Sequence, residues 1–198
     1  MTTTDKRLSR RRAITAAASA LFSERGYGAT RMADVAAAVG LQAGSLYYHV
    51  ESKEALLAAV VEERVGVAVE MLEAILDLDV DPVTKIRRGI EGHLVVFDEH
   101  ADIYRIFLSE RLDTIAPDLA TTVDLRGRQY EDLWQRLVEE GIATGVLRAD
   151  LDPWLTMKAI VGLANSTLFW FEPGGRLSST QVAERFTTVV LDGVLAPA

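Results

Sequence analysis

A short polar segment, residues 40–57, carries the side chains best suited to binding a partner. It reads GLQAGSLYYHVESKEALL, with hardly an aliphatic side chain before the Leu pair at its end. The amide of Gln42 can form two hydrogen bonds to an adenine edge, and small residues let a backbone approach a base closely. Donors that suit phosphate oxygens follow: Tyr47, Tyr48, His49 and Lys53. Adjacent tyrosines in isolation more often pack half-buried at a helix end, but their polar context here favours contact with nucleic acid.

Helical periodicity predicts the elements that position this segment. Apolar residues at i, i+4, i+7 and i+8 predict a first helix over about residues 8–25. Thr30 is predicted to cap a short second helix, and a third short helix follows over about residues 45–49. Two short helices joined by a tight turn predict a helix-turn-helix, whose second helix enters the major groove by its N-terminal end.

The helix-turn-helix interpretation gives each polar residue a place on DNA. Four small or polar residues begin the third helix and are predicted to lie at base edges: Gln42, Ala43, Gly44 and Ser45. Five residues are predicted to contact phosphates, two of them at helix N-termini: Thr30, Tyr47, Tyr48, His49 and Lys53.

The charge is unevenly distributed along the chain. The net charge is −8, yet residues 1–55 contain eight Lys or Arg and five acidic residues, which leaves −11 on the remainder. This asymmetry predicts a small basic module that meets phosphates, joined to a larger acidic body. The basic tail KRLSRRR could add phosphate contacts or form a disordered, solvated terminus, and charge alone leaves both possibilities open.

The remainder of the chain is predicted to be helical. We predict an all-α fold of about nine helices, with a three-helix DNA-binding domain in residues 1–51 and a larger helical ligand-binding and dimerisation domain in residues 52–198. Ser52, Asp81-Pro82, Asp152-Pro153 and the pair Ser178 and Gln181 are helix-start signals. The penultimate helix is apolar nearly all round and must be buried, which favours a homodimer through the last two helices over a monomer.

Several functional classes are disfavoured by what the sequence lacks. There is no cysteine and no apolar run of about 20 residues, so we expect a cytoplasmic protein without disulfides or a membrane span. No Walker, Rossmann, His-Glu-x-x-His or G-x-S-x-G pattern is present, so we expect no enzyme activity and no cofactor. A helical small-molecule-binding protein or enzyme without a DNA role remains the alternative.

The residues from about Arg10 to Leu57 resemble the DNA-binding domain of the TetR family of bacterial transcription regulators. The likeness covers AITAAASALFSERGYGATRMADVAAAVGLQAGSLYYHVESKEALL, including Leu21-Phe22, Gly26-Tyr27 and the run from Gly44 to His49. It implies a dimer that reads a palindromic operator with half-sites about 34 to 36 Å apart, and the same base-facing and phosphate-facing residues. Two residues depart from the family pattern: Gln42, where Ser or Thr is frequent, and Val50, where Phe is frequent.

The resemblance also implies a small effector that binds among the C-terminal helices and alters the spacing of the two DNA-reading heads. The candidates are polar groups and neighbouring apolar residues: His93, Phe97, Tyr104, Arg105, Leu108, Trp134, Asn165 and Phe169. Each apolar candidate is of a type that more often forms plain core than a pocket wall. His93 could join His100 and Glu91 or Glu99 in a metal site, although we expect no metal. Arg105 could meet an anionic effector or pair with Asp102.

One segment narrows the expected effector. ADIYRIFLSERLDTIAPDL is similar to a subset of the family that senses acyl-CoA thioesters. The resemblance therefore implies a ligand-responsive repressor, released from DNA by an apolar and anionic small molecule.

Overall fold

The computed structural model describes residues 3–98, 101, 104, 117–172 and 174–194. These residues form eight α-helices and, within those ranges, no β-strand, which confirms the predicted all-α fold. The helices are α1 (Thr3–Arg25), α2 (Met32–Ala38), α3 (Ala43–Tyr47), α4 (Lys53–Leu76), α5 (Pro82–Asp98), α6 (Pro117–Ala143), α7 (Pro153–Trp170) and α8 (Ser179–Val194). The apolar segment 103–109 also predicts a helix, and of these residues only Tyr104 is among those that the structure describes.

The chain packs as two compact units. The first contains the residues up to Arg64 together with the described residues 101, 104 and 117–124, and the second contains 65–98 and 125–194. The predicted domain boundary, between residues 51 and 52, falls just before α4, whereas the first unit extends to Arg64 within that helix.

The first unit is organised around a small apolar core. α1 packs against α2, and α2 packs against α3. The buried side chains come from all of these helices and from the start of α4: Ile14, Ala18, Phe22, Val35, Ala36, Leu46, Leu56 and Leu57. Each large aliphatic or aromatic group buried in this way stabilises the fold by about 1.5 to 3 kcal/mol.

A glycine forms the tight turn between α2 and α3. Gly40 has a φ of +69°, in the left-handed region that favours glycine. The next residue, Leu41, donates its backbone N–H to the carbonyl of Ala36 at 2.8 Å. This pairing satisfies a carbonyl in the last turn of α2 and directs the chain into α3.

In the second unit, the predicted start signals act as helix caps. The carboxylate of Asp152 accepts a hydrogen bond from the backbone N–H of Leu155 at 2.7 Å, and Pro153 is the first residue of α7. Ser178 and Gln181 exchange hydrogen bonds of 3.2 and 2.9 Å at the start of α8. Within this unit, α5 packs against both α7 and α8.

A buried lysine joins three helices of the second unit. The Nζ atom of Lys85 on α5 donates to the carbonyl of Leu76 at 2.9 Å and to the carboxylate of Glu140 on α6 at 2.8 Å. Pairing is required because an uncompensated buried charge is costly.

Among the helices that the structure describes, none is both long and apolar enough to cross a lipid bilayer.

Candidate functional site

The N-terminal tip of α3 is an exposed surface of small and polar groups. Gln42, Ala43, Gly44 and Ser45 are all exposed. Gln42 is the N-cap residue of α3, yet its side chain makes no cap hydrogen bond, so the amide is available to a partner. A Cβ added at Gly44 would meet nothing within 4 Å, so the fold does not require glycine there. The missing side chain instead leaves room for close approach from outside.

One apolar residue anchors this tip. Leu46 is 0% exposed, although the residues on both sides of it, Ser45 and Tyr47, are exposed. Val50, just beyond α3, is also buried. Because α3 is only five residues long, it cannot be stable by itself, and the burial of Leu46 determines which way the helix faces.

The aromatic and imidazole groups after the tip also reach solvent. Tyr48 is 84% exposed and Tyr47 is 52% exposed, so packing does not account for either hydroxyl. The rings of Tyr48 and His49 meet edge to face, with centroids 5.4 Å apart. These donors are adjacent to the tip of α3, and their contact with phosphate oxygens stays a prediction.

Lys53 begins α4 and is held against the turn that follows α1. Its Nζ atom donates to the carbonyl of Gly28 at 3.3 Å and lies 4.3 Å from the centroid of the Tyr27 ring. Ser52 caps the same helix end, since its Oγ atom accepts from the N–H of Ala55. Lys53 is partly exposed, so its ammonium group adds positive charge to the surface of the first unit.

The prediction that Thr30 caps the second helix and contacts a phosphate is wrong. Its side chain is 1% exposed, and its hydroxyl donates to the carbonyls of Leu21 at 3.2 Å and Gly26 at 2.9 Å. Its backbone N–H is also used, because it donates to Gly26. The N-cap of α2 is instead Arg31, whose N–H donates to Asp34. Thr30 thus closes the end of α1 and has no donor left for a phosphate.

The basic tail contributes residues that were not predicted individually. It is helical from Thr3 onwards, and Arg7, Leu8 and Arg11 line a cleft of about 350 Å³ together with Tyr48 and His49. Arg10 has a different role, since its Nη1 atom donates to the carbonyl of Val39 at the end of α2. The pattern in the sequence that could have indicated this is the i, i+4 spacing of Arg7 and Arg11, which places both on one face of a helix.

In the second unit, three of the predicted effector residues join one buried polar cluster. His93 on α5 is 0% exposed, and its Nδ1 atom lies 2.6 Å from the hydroxyl of Tyr130 on α6. The rings of Tyr130 and Trp134 meet edge to face at 6.5 Å, and the side chain of Asn165 on α7 interacts with His93. Tyr130, which is not among the predicted effector residues, connects His93 to Trp134.

The cluster is electrically neutral. Burial lowers the pKa of His93 from 6.5 to about 3, and the opposing interaction with Asn165 is smaller. The ring is therefore uncharged at neutral pH. Within the described part of the chain, the buried Nε1 donor of Trp134 has no hydrogen-bond partner. Such a donor suits an uncharged oxygen on an apolar ligand.

The other effector candidates have different outcomes. Phe169 was predicted to line the pocket, but its side chain is 68% exposed. Tyr104 belongs to the first unit, where burial raises the pKa of its hydroxyl and the nearby charge of Arg64 opposes that shift. The side chains of Phe97, Arg105 and Leu108 lie outside the described residues.

The possible metal site has no support in the part of the chain that can be tested. No group of three or more His, Asp or Glu among the described residues is placed to hold a metal ion. His100 and Glu99, which would have completed the site, lie outside those residues. Nδ1 of His93 is already paired with Tyr130.

The last two helices leave a large apolar surface exposed. On α7 it includes Trp154, Leu155, Phe169 and Trp170, and on α8 it includes Val189. Beside the end of α7, Trp170, Phe171 and Leu177 help to line a cleft of about 280 Å³. The chain alone therefore does not bury α7 on all sides. Large exposed apolar side chains concentrated on two neighbouring helices are typical of an interaction site.

Comparison with known proteins finds a matching family model for the N-terminal part of the chain and another for the C-terminal part. Residues 14–60 match the family model "Bacterial regulatory proteins, tetR family", and residues 79–194 match "Tetracyclin repressor-like, C-terminal domain". The chain is 29% identical to the HTH-type transcriptional repressor KstR2 of Mycolicibacterium smegmatis, over 94% of this chain and 91% of that protein.

Two solved structures are similar over almost the whole chain. A transcriptional regulator of the TetR/AcrR family from Thermobifida fusca has a TM-score of 0.81 and 33% identity, covering 93% of this chain and 98% of that one. The structure of AibR in complex with isovaleryl coenzyme A and operator DNA has a TM-score of 0.74 and 26% identity, covering 91% and 97%.

The neutral, buried state of His93 predicts a pH dependence of stability. The unfolded chain binds a proton at His93 below about pH 6.5, while the folded chain does not until about pH 3. The free energy of unfolding should therefore fall as the pH is lowered through this window, by up to about 1.4 kcal/mol per pH unit from this group. Denaturant unfolding at fixed protein concentration would measure it.

The contribution of His93 is isolated by comparing two variants with the unaltered protein. The stability difference between the unaltered protein and His93→Gln should shrink as the pH falls, because the glutamine does not titrate. Ser9→Ala, a change at an exposed residue without an ionisable side chain, should preserve the dependence. A difference for His93→Gln that stays constant between about pH 6.5 and 4 would contradict the buried neutral imidazole.

Proposed function

Because the chain belongs to the tetR family of bacterial regulatory proteins, we propose that it is a transcription repressor released from a palindromic operator by a small effector. The observation that carries the DNA-binding part is the tip of α3, where four exposed small or polar residues follow one another directly before the fully buried Leu46. A five-residue helix oriented in this way presents its N-terminal end to the major groove.

The proposed interface divides base reading from phosphate binding. Gln42, with its uncapped amide, is the residue most able to recognise a base, since Gln can bond to N6 and N7 of adenine. Ala43, Gly44 and Ser45 allow close approach to the groove. Tyr47, Tyr48, His49 and Lys53 bind the phosphates on either side and set the register of the helix. Thr30 has no part in this proposal.

We propose that the protein acts as a homodimer through α7 and α8. The support is the exposed apolar surface on these helices, which a second copy would cover by the same surface on its own α7 and α8. Two identical heads related by a two-fold axis would read two inverted half-sites, which is why the operator is proposed to be palindromic.

We propose an acyl-CoA thioester as the effector. AibR, a structural relative, is in complex with isovaleryl coenzyme A and operator DNA, and it supports this chemical class. The cluster of His93, Tyr130, Trp134 and Asn165 is uncharged, and the Nε1 donor of Trp134 suits the thioester carbonyl, which is an acceptor. The surrounding buried apolar residues suit the acyl chain, and the negative phosphates of such a ligand account for the anionic character expected from the sequence.

Base reading by Gln42 predicts a change of sequence preference. Gln42→Ala should reduce discrimination at one position of each half-site by about 1 to 3 kcal/mol, roughly 5- to 150-fold, and leave the salt dependence unaltered. Tyr48→Phe, which keeps the ring and removes the exposed hydroxyl, should weaken binding to every sequence alike. Quantitative binding to a panel of single-base operator variants would distinguish these outcomes. Equal losses on all sequences for Gln42→Ala would remove it from the base-reading set.

The effector proposal predicts reciprocal coupling between ligand and DNA. A saturating acyl-CoA should weaken operator binding by roughly 5- to 150-fold, and operator DNA should weaken acyl-CoA binding by the same factor. Fluorescence anisotropy of labelled operator and calorimetry of the ligand would measure the two sides. Free coenzyme A and the matching free carboxylic acid serve as controls. An acyl-CoA that binds without altering operator affinity would contradict its role as inducer.

A further inference from the structure

A basic cleft lies in the first unit, apart from the residues assigned to base reading. It has a volume of about 350 Å³ and is lined by Arg7, Leu8, Arg11, Tyr48 and His49. Both arginines are exposed, as are Leu8 and Tyr48. None of the five lining residues is acidic, while four of them carry hydrogen-bond donors.

The arginines are not placed there to stabilise α1. Arg7 and Arg11 are four residues apart and so share one face of the helix, where like charges repel by about 0.2 to 0.5 kcal/mol. The neighbouring Arg10 differs, because it donates from Nη1 to the carbonyl of Val39 at 3.2 Å. That bond joins the N-terminal half of α1 to the end of α2, so the cleft has a fixed wall.

We propose that Arg7 and Arg11 join Tyr48 and His49 in one phosphate-binding site that holds the DNA backbone beside the bases read by α3. The proposal rests on the DNA-binding function above and extends the DNA-binding surface to α1. A guanidinium group can donate two parallel hydrogen bonds to a phosphate, and two guanidinium groups in one cleft favour a doubly contacted phosphodiester. The Tyr48 hydroxyl and the His49 ring supply further donors to the same cleft.

This phosphate-binding site, formed by Arg7, Arg11, Tyr48 and His49, is called the clamp below. A site that binds only phosphates does not distinguish one base sequence from another. Its removal should weaken binding to operator and to unrelated DNA by the same factor. The dependence of log affinity on log salt concentration should also become shallower, by about 0.9 for each phosphate that the protein no longer neutralises. These two signatures separate the clamp from the base-reading tip of α3.

The test compares two double variants of the full-length protein. Arg7→Gln with Arg11→Gln removes the clamp, and Arg87→Gln with Arg88→Gln removes the same charge from two exposed arginines of α5. The first should lose about tenfold or more in affinity at low salt on both kinds of DNA, with a salt slope smaller by about 1 to 2. The second should remain within about twofold of the unaltered protein. Equal thermal unfolding curves would show that all the proteins are folded.

Phosphate-ethylation interference on the operator locates the clamped phosphate directly. At least one phosphate in each half-site should, when ethylated, weaken binding of the unaltered protein but have no effect on the Arg7, Arg11 variant. Identical interference patterns, or equal affinities for the two double variants, would overturn the clamp while leaving the proposed function intact. Failure of the unaltered protein to bind any DNA would overturn both.

Discussion

The burial of Leu46 is the interaction on which the DNA-facing surface depends. α3 has five residues, far fewer than a helix needs for stability in water, so its position is determined by tertiary packing. Leu46 faces the interior and is fully buried, which turns Gln42 through Ser45 outward together. The left-handed Gly40 allows the tight turn that brings α3 to its place beside α2. The outward orientation of the polar groups at the tip of α3 thus depends on the burial of one apolar side chain, Leu46.

The second unit uses the opposite arrangement, with polar groups enclosed by apolar helices. Desolvation keeps His93 neutral, and its contact with Tyr130 joins α5 to α6. Buried groups without full hydrogen bonding, such as Nε1 of Trp134 among the described residues, cost free energy. A ligand that forms a hydrogen bond with such a group removes this cost, and the free energy recovered adds to its affinity. This is a physical reason to propose that the effector binds beside His93 and Trp134. The exposed apolar faces of α7 and α8 then remain for a second copy.

Local signals predicted the helices well. Asp152, Ser178 and Gln181 cap their helices as expected, because capping depends on a few neighbouring residues. Thr30 was predicted wrongly because a hydroxyl after a tight turn can cap the next helix or bond to the preceding one, and only the fold decides between them. Phe169 lies on a helix that is apolar on almost every face, so periodicity could not show which face would be exposed.

The site residues were predictable to different degrees for the same reason. The tip of α3 follows from a motif with fixed spacing, whereas His93, Trp134 and Asn165 come from three helices whose packing the sequence does not specify. Tyr130 was missed as a polar member because a tyrosine among apolar residues is usually core. The role proposed for Arg7 and Arg11 depends on α1 beginning at Thr3, because both residues then lie on one helix face.

Selection of bound fragments from random DNA tests the central claim most directly. If an anchored α3 reads bases and two copies pair through α7 and α8, the recovered site should be an inverted repeat. Its half-sites should lie about one helical turn, or roughly 10 base pairs, apart from centre to centre. Recovery of no enriched sequence, or of a single half-site without its inverted partner, would contradict this account.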